Sequence, residues 1–197
     1  MTLPRNLFFT GVPGSKWSGI AQVLESIPNV NTSDHTKQRA YTHGTFSGHK
    51  GAYFGRGMEF EPNLDYNYIQ SAWKHNNGMR IIKSHDWAYY LDDIKAHFAD
   101  DWIMLVYRPD SISYAWWFEA GGVNINYPNY DVYKDSIGML NEIQQQNQNL
   151  LTWSIKENIS WHSFTPTWVN DTFGVQLDFE SKWSDILVSV YKYVQLH

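Results

Sequence analysis

Apolar residues along this chain recur with two periods. Three short runs, Leu7-Phe8-Phe9, Ile81-Ile82 within Arg80 to Ser84, and Trp102 to Tyr107, are continuous rather than alternating. Continuity of that kind marks strands covered on both faces, and strands are predicted over 6–10, 80–84 and 102–107. Elsewhere the spacing is helical. Ile20, Val23, Leu24 and Ile27 recur at i, i+3, i+4 and i+7, predicting a helix over 18–27 that Pro28 ends. Further helices are predicted over 64–75, 91–98, 111–119 and 135–152, with Gly121-Gly122 closing the fourth. A last helix is predicted over 180–194, with Trp183, Ile186, Leu187, Val190 and Val194 as its apolar stripe. Residues 157–179 show no dominant period and read as a loop with a short strand. Residues 29–62 and 124–133 are polar, irregular and sprinkled with aromatics. A stretch as long as the first of these inside a compact domain is usually functional or mobile.

Strands alternating with helices predict an α/β fold with a mainly parallel central sheet flanked by helices. No repeat or boundary divides the chain, so one domain over 1–197 is expected.

Each of the three apolar runs gives way to polar, mostly basic residues. The first enters Thr10-Gly11-Val12-Pro13-Gly14-Ser15-Lys16-Trp17-Ser18, the second Lys83-Ser84-His85, and the third Arg108-Pro109-Asp110-Ser111-Ile112-Ser113. In an open parallel sheet that edge is where ligands bind.

Charge narrows the ligand. A formal net charge of −5 argues against a general nucleic-acid or anionic-membrane binder, but not against one anion in a locally basic pocket. No apolar run approaches the ~20 residues of a membrane span, and the first residues lack a signal-peptide core, so a cytoplasmic protein is expected. The absence of cysteine removes disulfides and thiolate metal sites. Aromatic residues make up 17% of the chain. Most are expected in the core, the remainder being available to line a pocket.

The strand, loop and helix across Phe8 to Ile27 form the right context for an anion cradle, because N–H groups at a helix start carry partial positive charge. Gly11 and Gly14 allow close approach, Ser15 and Ser18 offer hydroxyls, and Lys16 offers a cation. The segment is not a Walker A motif, since two residues separate the glycines and Trp17 follows Lys16 where Ser or Thr would hold Mg²⁺. A glycine turn before a surface helix is the plainer reading of this segment alone. Lys83 and His85 alternate onto one face of an extended strand, with Ser84 opposite. Histidine accepts a proton near neutral pH. The Arg108 guanidinium suits bidentate phosphate binding, or a salt bridge to a nearby acid such as Asp110.

Together these segments resemble the sulfotransferase family that uses 3′-phosphoadenosine 5′-phosphosulfate. Pro13, Ser15 and Ser18 match in type the family's Pro-Lys/Arg-Ser-Gly-Thr-Thr loop, with Gly14 at its basic position and Lys16 at its glycine. Ile81-Ile82-Lys83-Ser84-His85 closely matches its Ile-Ile-Lys-Thr-His. Val106-Tyr107-Arg108-Pro109 with Ser113-Tyr114 is similar to its third signature, a strand ending in Arg followed by Ser and aromatics. The resemblance covers roughly 6–118, and no copy of the family's later Arg-Lys-Gly loop is found.

What the resemblance implies is a P-loop nucleotide-hydrolase-like sulfotransferase fold and sulfuryl transfer to a hydroxyl or amine. His85 would be the general base, with Lys16 and Lys83 completing the catalytic set. Gly11, Pro13, Gly14, Ser15, Lys16, Trp17 and Ser18 would hold the 5′-phosphosulfate, and Arg108 with Ser113 the 3′-phosphate. Ser111 competes with Ser113 for that role. The product would be 3′-phosphoadenosine 5′-phosphate, and no metal is implied. His35, His43 and His49 have no ligand spacing. The acceptor would be a small molecule or glycan. Aromatics of 29–62 with Trp116, Trp117 and Tyr127 suit a flat platform for a sugar or aromatic alcohol and ordinary packing equally. Another P-loop phosphotransferase and a non-catalytic nucleotide-binding relative are the alternatives. The sequence does not specify an oligomeric state.

Overall fold

The computed structural model describes residues 2–33, 63–125 and 131–192. Among these residues a five-stranded sheet contains β1 (Asn6–Gly11), β2 (Arg80–Lys83), β3 (Trp102–Tyr107), β4 (His162–Ser163) and β5 (Leu187–Tyr191) in the order β2-β1-β3-β5-β4. β1 is parallel to β2 and to β3, while β5 runs antiparallel to both β3 and β4. The fold is therefore α/β with a mixed sheet whose centre is parallel. Phe9 stands opposite Lys83 and Gly11 opposite Val106, so the three predicted strand ends lie side by side.

Both faces of β1 are covered, which explains its unbroken apolar run. Leu7 and Phe9 face one core with Ile20, Ile81, Met104 and Val106. Phe8 faces the other, with Ile82, Trp87, Leu91, Ile94 and Leu105. The first core is closed by α1 (Trp17–Glu25), whose predicted stripe buries Ile20 and Leu24, and by α6 (Pro166–Phe173). The second is covered by α3 (Leu91–His97) and α5 (Ser136–Lys156), which contributes Leu150 and Trp153. A smaller cluster of Val12, Trp117, Ile125, Tyr133, Met139 and Ile143 lies where α4 (Asp110–Glu119) meets α5, and it anchors the loop after β1 through Val12.

The predicted helix over 64–75 shortens to α2 (Tyr66–Ser71), started by Asp65, whose side chain accepts from the Tyr68 N–H. Residues 34–62, including His35, His43 and His49, and residues 126–130, including Tyr127, lie outside the described residues.

The largest correction is at the chain's end. The helix expected over 180–194 is instead strand β5, preceded by an irregular segment, with Val194 outside the described residues. Ile186, Val188 and Val190 face the first core, whereas Tyr191 packs against the second. Ile186, Leu187 and Val190 satisfy a helical period, but the β-branched alternation through Val188 satisfies a strand, and the open edge of β3 accepts it. The short strand expected within 157–179 is β4, but the same interval also holds α6. Its start carries Thr165, accepting from the Trp168 N–H, then Pro166 in the first turn, and Gly174 closes it at φ 67°.

Candidate functional site

The site is assembled from three strand ends onto the loop between β1 and α1. The β1–β2 pairing runs one residue beyond β2, where the Ser84 N–H donates to the Phe9 carbonyl at 3.2 Å. The chain then turns, the Asp86 N–H donating to Ser84 Oγ, and Thr10 Oγ1 donates to the His85 carbonyl. These bonds fix the His85 backbone, and its ring turns inward. His85 Nδ1 bonds the Gly11 carbonyl. A carbonyl only accepts, so Nδ1 is the donor in this bond. The imidazole packs 4.2 Å from the Trp17 ring, which itself stacks on Phe9 at 5.6 Å.

The loop is shaped by contacts that exclude side chains. A Cβ on Gly11 would lie 2.9 Å from both Ser15 Oγ and Val106 Cβ. At Gly14, where φ is +79°, a Cβ would stand 2.0 Å from the Ser113 carbonyl oxygen. The loop is pressed onto α4 there, with no space for a side chain. The Ser15 N–H closes a turn on the Val12 carbonyl at 3.0 Å, and Lys16 adopts φ 59° as the residue before α1. The Lys16 side chain makes no capping bond to α1. Pro13 is buried, and Ser18 is half-buried in the first turn of the helix.

The predicted hydroxyls divide. Ser15 Oγ is buried, with no hydrogen-bond partner among the described residues, and lies beneath the loop. Ser113 is buried against the loop, its Oγ donating to the Arg108 carbonyl at 3.3 Å, whereas Ser111 is exposed.

The three cations are each engaged within the protein. Arg108 donates through Nε at 2.7 Å and Nη2 at 2.6 Å to Asp185 Oδ2, and through Nη1 at 2.9 Å to the Gly14 carbonyl. Its ion pair is with Asp185 rather than Asp110, whose carboxylate accepts from Asn147 instead. Asn147 also donates to the Arg108 carbonyl at 2.8 Å, pinning the turn into α4. Lys83 lies on the α1 side of the sheet, its Nζ 3.3 Å from Glu25 Oε1. Lys16 Nζ stands 4.1 Å above the Trp116 ring, a cation–π contact. Trp117, the other aromatic expected at an acceptor pocket, is buried in the third cluster. Burial, reinforced by Asp110, pushes the Tyr107 phenol at the end of β3 up.

Glu25, Asn147 and Asp185 join the site without having been anticipated. Asp185 falls in the segment expected to be helical, and Asn147 in a polar helix with no mark distinguishing it from its neighbours. Among the described residues no group of three or more acidic, His or Cys side chains is arranged to hold a metal ion. No described helix is long and apolar enough to cross a membrane. A separate cavity of about 830 Å³ opens at the opposite edge of the sheet, between Leu3, Arg5, Asn29, Met79 and Phe173. None of the predicted site residues lines it.

The start of α1 can bind an anion, and the His85 ring lies against Trp17 in its first turn. Comparison with family models, curated proteins and solved structures found no match in any of the three.

Proposed function

We propose that this chain is a sulfotransferase that takes 3′-phosphoadenosine 5′-phosphosulfate as donor and a hydroxyl or amine as acceptor. The observation that carries the reading is that His85 and Arg108, from two different strand ends, both bond carbonyls of the same loop, at Gly11 and Gly14. The Ile81 to His85 match thus gains a spatial partner in the first and third segments.

The chain's own groups fit the donor in kind. The N–H groups at the start of α1 offer donors for an anion, and Lys16 adds a cation nearby. Arg108 and Ser113 would anchor the 3′-phosphate. When bound, the donor supplies the sulfuryl group and a phosphate leaving group.

His85 does the protein's acid–base work. With Nδ1–H committed to Gly11, Nε2 takes the proton from the acceptor's hydroxyl or amine as that atom bonds to sulfur. Trp17 and the carbonyl together hold the ring in that orientation. The electron pair of the breaking S–O bond ends on the leaving phosphate, whose charge the loop N–H groups and Lys16 offset. Lys83, held by Glu25, orients the β2 end rather than meeting the donor directly.

Calorimetric titration with 3′-phosphoadenosine 5′-phosphate, against ATP as the comparison, tests the reading. Binding of the bisphosphate and weak or no binding of ATP is expected. Preferential ATP binding with Mg²⁺-dependent turnover would replace it with a phosphotransferase. The pairing of Arg108 and Lys83 with Asp185 and Glu25 favours one second reading, a relative that binds nucleotide without transfer. Bisphosphate binding with no sulfate transfer across an acceptor library would support that alternative.

A further inference from the structure

Asp185 is the strongest contact in the site for which the proposed reaction has no use. Arg108 presents Nε and Nη2 to a single carboxylate oxygen at 2.7 and 2.6 Å. Both are charge-assisted contacts, so one carboxylate oxygen occupies the Nε/Nη2 edge that the guanidinium would otherwise offer to a bidentate oxyanion. Nη1 is spent on Gly14, so three of the five guanidinium N–H donors are already used by the protein. The Arg108 side chain is 8% exposed and that of Asp185 32% exposed, so the carboxylate is the partner open to water.

The segment carrying Asp185 lies over the site. It turns just ahead of β5, the Ile186 N–H donating to the Trp183 carbonyl. Trp183 covers the first turn of α1, where a Cβ on Gly19 would come within 3.2 Å of its ring.

We propose that Asp185 is a specificity-determining residue: its carboxylate holds the ligand face of Arg108, and an anion binds there only by replacing it. The inference rests on the reading of Arg108 as an anion-binding residue. An internal carboxylate both neutralises the guanidinium and repels an incoming anion. A dianionic phosphate overcomes that competition better than a weaker or neutral ligand, so Asp185 filters what Arg108 accepts.

Asp185→Asn tests this, because it keeps the side chain's shape and an acceptor oxygen but removes the charge. The first probe is inorganic sulfate, read as thermal stabilisation. Asp185→Asn should respond at about tenfold lower sulfate than the wild type, the effect of relieving one charge-assisted competitor. The gain should vanish in the Arg108→Gln, Asp185→Asn double variant. Equal sulfate dependence in wild type and Asp185→Asn, or a gain that survives loss of Arg108, overturns the proposal. The second probe compares 3′-phosphoadenosine 5′-phosphate with adenosine 5′-phosphate. Asp185→Asn should tighten the first more than the second, and equal tightening of both counts against it. A sulfate gain without binding of either nucleotide keeps the role of Asp185 and rejects the nucleotide reading. Asp185→Ser is the second variant, with the same expectations. If neither variant folds, the pair is a structural brace and the proposal falls.

Discussion

At the scale of single residues, His85 makes the sharpest demand. Its Nδ1 is committed to the Gly11 carbonyl, and in the proposed reaction the other ring nitrogen would act on the acceptor rather than on the donor nucleotide. His85→Ala should leave nucleotide affinity nearly unchanged and lower the transfer rate by about 10²–10⁴-fold, the range for losing a general base. His85→Asn can bond Gly11 but takes no proton at neutral pH, and should be as slow. Wild-type transfer by both variants would make His85 structural. Arg108→Ala should weaken the 3′,5′-bisphosphate much more than a nucleotide without the 3′-phosphate, and Ser113→Ala should do so less strongly. If Ser111→Ala shows that preference instead, the exposed serine is the ligand. Gly14→Ala needs no ligand to be informative. The left-handed backbone alone costs about 1–2 kcal/mol, and the overlap with the Ser113 carbonyl adds to it. Denaturant unfolding should show a loss at least that large, and an unchanged midpoint would mean that the loop and α4 are not pressed together.

Elements were legible wherever one period dominated. β1, β2 and β3 are covered on both faces, so their apolar runs are continuous and their polar ends abrupt. The convergence of those ends could be read from order alone. β5 was misread because Ile186, Leu187 and Val190 serve either period, and only the pairing with β3 decides between them. α6 carried its own signal in Thr165, Pro166 and Gly174, a start and stop that hydrophobic spacing does not register. The ion pairs of the site were not legible at all, since Glu25 and Asp185 reach Lys83 and Arg108 from distant parts of the chain. Helix starts make a measurable claim of their own. Asp135 accepts from the Ile137 and Gly138 N–H groups, both at 3.0 Å, at the head of α5. Asp135→Ala should therefore cost about 0.5–2 kcal/mol in unfolding free energy. A loss below that range would mean that α5 is held by its packing and not by its cap.

For the molecule as a whole, acid and base stability hinge on how carboxylates are held. Burial pushes the Asp101 carboxyl up, against the pull of two hydrogen bonds from Asn6. The native value then exceeds the unfolded one, so the native state binds this proton more tightly. Its contribution is present below the unfolded value and is lost as pH rises through the native value. Asp92 is the reverse: the Lys156 ammonium holds it low, and its contribution is lost as pH falls. That pair is exposed and contributes little. The stability of wild type minus that of Asp101→Asn, followed from about pH 3 to 7 across the usual carboxylate range, should therefore decline as pH rises. A flat or rising difference would remove Asp101 from the account.

The place of β5 in the sheet bears on how the protein is made. Ile103 pairs with Tyr191 and Tyr107 with Leu187, so the outer edge of β3 is completed by residues synthesised long after it. Chains fold from the N-terminus as they are synthesised. The parallel β2-β1-β3 core therefore has to wait with a row of unpaired N–H and C=O groups on one side, and an open edge of that kind is a template for pairing with the wrong chain. Nascent chains stalled before Leu187 should stay protease-sensitive and draw chaperones, and those stalled with Tyr191 free of the ribosome should become resistant. The pairing of β5 thus sets the moment at which the open edge of β3 stops being a hazard to neighbouring chains.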